Sequence, residues 1–220
     1  MGTRSLNAAR LAASSVCSGV DDVLACTEKR VFCAVRPPGH HAETNTAMGF
    51  CLLNSIAIAA LHALNQADVA RVAIVDFDVH HGNGSVDICR EHPEIMVCSS
   101  FQHPYYPNRL DDIEQPNIVN TPLAAGSNGD DFRRAISTQW LPALEQHQPD
   151  LILVSAGFDA HQLDPLAALN LQEEDFKWIT QQIVNIANQH SQGRVVSTLE
   201  GGYDLDALAW SAQAHLEALM

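Results

Sequence analysis

The stretch Val72-Ala-Ile-Val-Asp76-Phe-Asp78-Val-His80-His81-Gly-Asn83-Gly84 decides the fold. Its first four residues are apolar without the alternation of a half-solvated strand, so the segment reads as a strand covered on both faces, as in a parallel sheet. Asp76, Asp78 and His80 then alternate with Phe77 and Val79. In extended backbone, residues i, i+2 and i+4 share a face, which converges two carboxylates and an imidazole while the apolar pair packs behind them. Such a trio calls for a cation.

Working outward, the apolar, β-rich runs are Val31–Val35, Val72–Phe77, Ile95–Cys98, Leu151–Ala156 and Val195–Leu199. Helical patterns lie between or beside them at Leu53–Asn65, Ser85–Glu91, Asp130–Gln146, Glu173–Gln189 and Leu205–Leu219. Near the front, Leu6, Ala9, Ala13, Val16 and Val20 fall at helical spacing and predict an amphipathic helix. Strand and helix alternate, which predicts an α/β domain over residues 1–220 with a mainly parallel sheet and helices on both faces. Gln102–Gly129, with Pro104, Pro107, Pro116 and Pro122, shows no period and reads as a long functional loop.

Composition narrows the function. The chain has 220 residues, 46% of them apolar and 17% charged, which excludes whole-chain disorder. Twelve basic against 26 acidic residues leave a net charge of −14, and the only lysines are Lys29 and Lys177. Without a basic stripe, direct nucleic-acid binding is not expected; a negative field suits cationic substrates. No run approaches the roughly 18 apolar residues of a membrane span. The six cysteines form no C-x-x-C pair and read as reduced thiols of a cytoplasmic protein.

Four strands are followed at once by polar clusters: Arg36 to His41, Asp76 to Gly84, Asp159 to Asp164, and Glu200 to Tyr203. Ligands of parallel sheets bind outside the carboxyl ends of the strands, so all four clusters should meet on one edge. Nitrogen and oxygen donors together suit zinc, although iron, manganese and cobalt accept the same donors. Spacing leaves Asp159, His161 and Asp164 open as the third ligand. His40 and His41 are candidates for proton transfer, since imidazole titrates near neutrality. Gly201-Gly202 would let the backbone approach a ligand and aim the Tyr203 hydroxyl at it.

Five ordered strings, RPPGHHA (36–42), MGFCLLN (48–54), DFDVHHGNG (76–84), SAGFDAHQLDPL (155–166) and LEGGYDL (199–205), resemble those of the zinc-dependent histone deacetylase superfamily, which includes acetylpolyamine amidohydrolases and acetoin-utilisation proteins. The resemblance runs from about Ser5 to Leu219. It implies an arginase/deacetylase-like three-layer fold and one zinc per chain held by Asp78, His80 and Asp164. The third ligand, by that resemblance, is Asp164 and neither Asp159 nor His161. His41 would be the general base and later acid, His40 its companion oriented by Asp76, and Tyr203 the donor to the substrate carbonyl. Gly49, Phe50, Tyr106 and Gly202 would line the acyl-lysine channel, and a structural potassium would sit near Asp76, Asp78, His80 and Ser99. The implied substrate is an acetyl-lysine peptide or an acetylpolyamine.

The chain departs from that pattern in places. Asn83 stands where an aspartate is common, Phe101 where a histidine is common, and Asn108 where a glycine is common. Relative to the family the sequence is short at its front, lacking an edge strand and a rim loop. A catalytically inactive metal-binding relic that serves as an interaction module is the alternative. A dinuclear manganese ureohydrolase would need further bridging aspartates.

Overall fold

The computed structural model describes residues 2–220 and shows helices on both faces of a six-stranded sheet. In chain order the elements are α1 (Ser5–Leu24), β1 (Arg30–Cys33), α2 (Ser55–Leu64), β2 (Val72–Asp76), α3 (Asn83–Cys89) and β3 (Ile95–Gln102). There follow β4 (Ile118–Leu123), α4 (Gly129–His147), β5 (Leu151–Ala156), α5 (Glu173–His190), β6 (Val195–Leu199) and α6 (Leu205–Leu219). The strand order is β1-β6-β5-β2-β3-β4, and every ladder is parallel.

The continuous apolar runs have their cause in the two layers. Val72 and Ile74 of β2 pack with Val16, Val20, Ile56 and Val86 beneath α1, α2 and α3. Ala73 and Val75, pointing the other way, join Phe132, Ile136, Phe176 and Ile179 beneath α4, α5 and α6. The front helix forms as its spacing predicts and buries Ala9, Ala13, Val16 and Val20, while Leu6 stays exposed.

The segment Gln102–Gly129 needs correction, because it contains a strand. β4 pairs with β3 in the register Ser99↔Asn120, Ser100↔Thr121 and Phe101↔Pro122. Pro122 is tolerated since β4 is an edge strand, where a missing N–H need not break a second ladder. All six cysteines are free thiols. Among the described residues no helix is long and apolar enough to cross a membrane.

β2 is the strand from which the order runs outward in both directions, to β3 and β4 on one side and to β5, β6 and β1 on the other. The crevice at the carboxyl ends of β2 and β5 is therefore the switch point of the sheet, the place where open α/β sheets bind ligands.

Candidate active site

All four polar clusters meet at that crevice. The imidazole Nδ1 of His80 lies 3.0 Å from Asp78 Oδ1 and 3.2 Å from Asp159 Oδ2. One donor atom from each of Asp78, His80 and Asp159 falls within 4.8 Å of the others. The backbone holds the carboxylates in place: Asp78 Oδ2 accepts from Gly201 N–H at 2.8 Å, and Asp159 Oδ1 accepts from Val79 N–H at 2.9 Å. Asp159 Oδ2 is buried with no hydrogen-bond partner.

Asp164, the third ligand that the resemblance implies, is held against the loop that carries Tyr203. Its Oδ1 accepts from Leu166 N–H at 3.0 Å, and its Oδ2 from Tyr203 N–H at 2.7 Å and Asp204 N–H at 3.3 Å. Three donors leave its Oδ1 with acceptor capacity for a cation, as they do at Asp78. Asp159 converges because it follows β5 directly and receives the Val79 amide from the neighbouring β2 crossing.

The trio fits a divalent cation. Two carboxylates and an imidazole are a donor set for a borderline metal with an open fourth position. Two carboxylates flank one buried nitrogen, and their hydrogen bonds, Asp159 first, outweigh burial and raise His80 to about 10. Burial, then the negative Asp78, pushes Asp159 up to about 6. Without a metal, a proton on His80 Nδ1 stands in the position of the cation. A β-carbon at position 201 would lie 2.1 Å from Asp159 Oδ2 and 2.6 Å from Asp78 Oδ2, so the backbone reaches the site only as glycine.

The tandem histidines stack beside the trio with ring centroids 4.0 Å apart. His40 Nδ1 meets Asp76 Oδ2 at 2.9 Å. Burial opposes charge on His40, but Asp76, Asp78 and Glu200 together raise it well above the ordinary imidazole value, so it is the cationic member of the pair. Burial first and the His40 charge second push His41 far down, which keeps it neutral. His41 Nδ1 meets Asn83 Oδ1 at 2.7 Å. An amide oxygen only accepts, so Nδ1 carries the proton and Nε2 is left as the bare base.

Above these groups lies a cavity of about 340 Å³ lined by His41, Gly49, Phe50, His80, Tyr106, Leu166 and Tyr203. Gly49, at φ +53°, packs so closely that a β-carbon there would sit 2.1 Å from the His41 ring. Tyr106 stands edge-on to His41 at 5.2 Å, and Phe50 faces Tyr203 at 6.4 Å. Burial and the Asp78, Asp159 and Asp164 charges raise the Tyr203 phenol, which stays a donor. Gly202 does not line the cavity; at φ +139° it turns the chain towards Tyr203. Ser99, register partner of Asp76, accepts at its hydroxyl oxygen from Gly82 N–H at 3.2 Å.

The sequence reading gave no role to three contributors. Leu166 lies two residues beyond Asp164 inside a quoted string, and Tyr105 stacks on His80 at 5.6 Å next to the Tyr106 already singled out. Glu200 accepts from Gly39 N–H at 2.7 Å and Ser155 Oγ–H at 3.1 Å, pinning the histidine loop to β5. A buried acid just before a glycine pair was the available signal.

Against known families, residues 1–219 match the one described as histone deacetylase domain. The chain belongs to this family. A histone deacetylase-like amidohydrolase of Pseudomonas aeruginosa is 36% identical over 226 residues, which cover all of this chain and 60% of that protein. A Synechocystis sp. protein is 46% identical over 220 residues, 99% of this chain and 70% of its own length. The crystal structure of the HDA15 HD domain superimposes with a TM-score of 0.90 at 36% identity, over 96% of this chain and 62% of that one. The deacetylase fold, with its open parallel sheet, is thus common to both.

Proposed function

We propose that this chain is a zinc-dependent amidohydrolase that removes acetyl groups from acetyl-lysine or acetylpolyamine, with Asp78, His80 and Asp164 as the ligands and Asp159 beside them. The observation that carries the reading is the three-donor cluster at the floor of a narrow cavity whose walls hold both a neutral imidazole and a protonated phenol. Membership of the deacetylase family supports the reaction class. The acidic net charge of −14 supports a cationic or amine-bearing substrate. A structural potassium near Asp76, Asp78, His80 and Ser99 belongs to the same reading.

When bound, zinc supplies Lewis acidity to the substrate carbonyl and lowers the pKa of water from 15.7 towards about 7. The chain's own residues do the rest. Gly49, Phe50, Tyr106 and Leu166 sleeve the aliphatic stem and exclude water from it. His41 Nε2 takes the proton of the attacking water, a role worth about 10²–10⁴ in rate. The Tyr203 hydroxyl donates to the carbonyl oxygen as negative charge develops there. His40, held cationic by Asp76, keeps positive charge beside His41 and so favours passage of its proton to the departing amine. The products are acetate and a free amine.

A turnover panel of acetyl-lysine peptide, acetylpolyamines and longer acyl-lysines, run with and without a hydroxamate inhibitor, tests this. Hydroxamate-sensitive release of acetate with one zinc per chain is expected. Stoichiometric zinc with no turnover on any member of the panel overturns the reading in favour of a metal-binding relic.

A further inference from the structure

Asn83 creates a problem that an aspartate would not. A carboxylate accepts from His41 Nδ1–H with either oxygen, whereas an amide can turn either its oxygen or its NH₂ towards the ring. With the NH₂ towards His41, Nδ1 would become the acceptor and the proton would move to Nε2. The base atom facing the cavity would then be lost. Something must therefore hold the amide in one orientation.

The holding group lies on the far side of the amide. Asn83 is fully buried, and its Nδ2 donates to Glu43 Oε1 at 2.7 Å. Glu43 Oε2 accepts in turn from Arg109 Nη2 at 2.8 Å. The Glu43 side chain is only 6% exposed, while that of Arg109 is 52% exposed. An ion-paired carboxylate presents acceptors alone, so the amide must face it with nitrogen. The Asn83 nitrogen also approaches the His41 carbonyl at 3.4 Å and Met48 Sδ at 3.3 Å, both of them acceptors. The chain Arg109–Glu43–Asn83–His41 runs from the surface to the base.

We propose that Glu43 is a positioning residue that sets the tautomer of His41 through the amide of Asn83, with Arg109 keeping Glu43 in place. The inference rests on the proposed role of His41 as base. Imposing the wrong histidine tautomer on a serine-protease triad lowers turnover about 10⁴-fold, which shows how much such a device can control.

The test uses the zinc-loaded chain labelled with ¹⁵N-histidine, in which two-bond ¹H–¹⁵N spectra separate the protonated nitrogen of a neutral ring from the bare one. His41 signals are assigned by their loss in His41→Asn. The parent should show Nδ1–H at His41. Glu43→Gln, nearly isosteric, should move His41 towards Nε2–H and lower kcat at least tenfold with KM within about twofold. Asn83→Asp alone sets two carboxylates against each other and should lower kcat at least tenfold. The double variant Glu43→Gln/Asn83→Asp removes that clash and the need for orientation together, so it should regain Nδ1–H and come within about threefold of the parent kcat. An unchanged Nδ1–H signature in Glu43→Gln, or a double variant whose loss is the product of the single losses, overturns the proposal. If the parent itself has no turnover, the function reading falls, but the tautomer comparison still decides the role of Glu43.

Discussion

Asp164 Oδ2 accepts the backbone N–H of Tyr203 at 2.7 Å, and this bond ties the loop after β5 to the loop after β6. The two acids that follow β5 therefore do different work. Asp164→Ala should lose stoichiometric zinc, measured by metal analysis of the purified protein, and also release the Tyr203 loop, where a displacement of about 1 Å can lower turnover about 10²-fold. Asp159→Ala should keep zinc at reduced affinity. Loss of zinc in Asp159→Ala with retention in Asp164→Ala would reverse the assignment.

Tyr203→Phe removes one donor from the position where the carbonyl oxygen becomes negative and leaves the metal ligands untouched. A donor of that kind contributes about 10²–10³ in kcat. The variant should keep one zinc per chain and a KM close to that of the parent while kcat falls by about that factor. Equal kcat in parent and variant would remove Tyr203 from the mechanism.

Metal loading should release protons, and the shifts at the site give the direction. His80 is raised to about 10, so between pH 6 and pH 10 the metal must displace one proton and apparent affinity should rise about tenfold per pH unit. Asp159 is raised to about 6, so below that pH a second proton must leave and the dependence should steepen. Calorimetric titration of zinc into metal-free protein at pH 8, repeated in buffers of different ionisation enthalpy, should report at least one proton released. No release would mean that His80 is unprotonated in the metal-free site.

How much of this was legible in the sequence depended on how local its cause was. β5 and β6 are continuous apolar runs because both faces are covered, and their boundaries agree with the sequence reading at both ends. β4 was hidden because Asn120, Thr121 and Pro122 are polar or non-donating, which only an edge position explains. The tandem histidines, Tyr203 and the Asp78–His80 pair were legible from spacing and resemblance. The contacts that hold Asp159 and Asp164 were not, because they run to the Val79 amide and to the Tyr203 loop. Glu43 was invisible for the same reason, since its partner lies 40 residues away.

His215 works behind the site and not in it. The ring is fully buried, with Phe32, Phe77 and Phe158 edge-on at 5.6, 5.8 and 5.8 Å. Thr180 donates its hydroxyl hydrogen to Phe176 O at 2.6 Å, so its oxygen is left to accept from His215 Nδ1–H at 2.7 Å. Nε2 then accepts from Ser197 Oγ–H at 2.9 Å, and the neutral ring is satisfied on both sides. Burial pushes its pKa down to about 3. An unfolded histidine titrates near 6.5, so below that pH the unfolded chain binds a proton that the folded one refuses. Stability from this site is complete above pH 6.5 and is lost as pH falls towards 3, at up to about 1.4 kcal/mol per pH unit. His215→Gln keeps a donor and an acceptor in place but cannot titrate. Urea unfolding of both proteins from pH 7.5 to 4.5 should show the parent losing its advantage over the variant as pH falls, with the other titrating groups cancelling in the difference. Parallel stability curves would show that His215 takes up its proton in the folded state as readily as in the unfolded one.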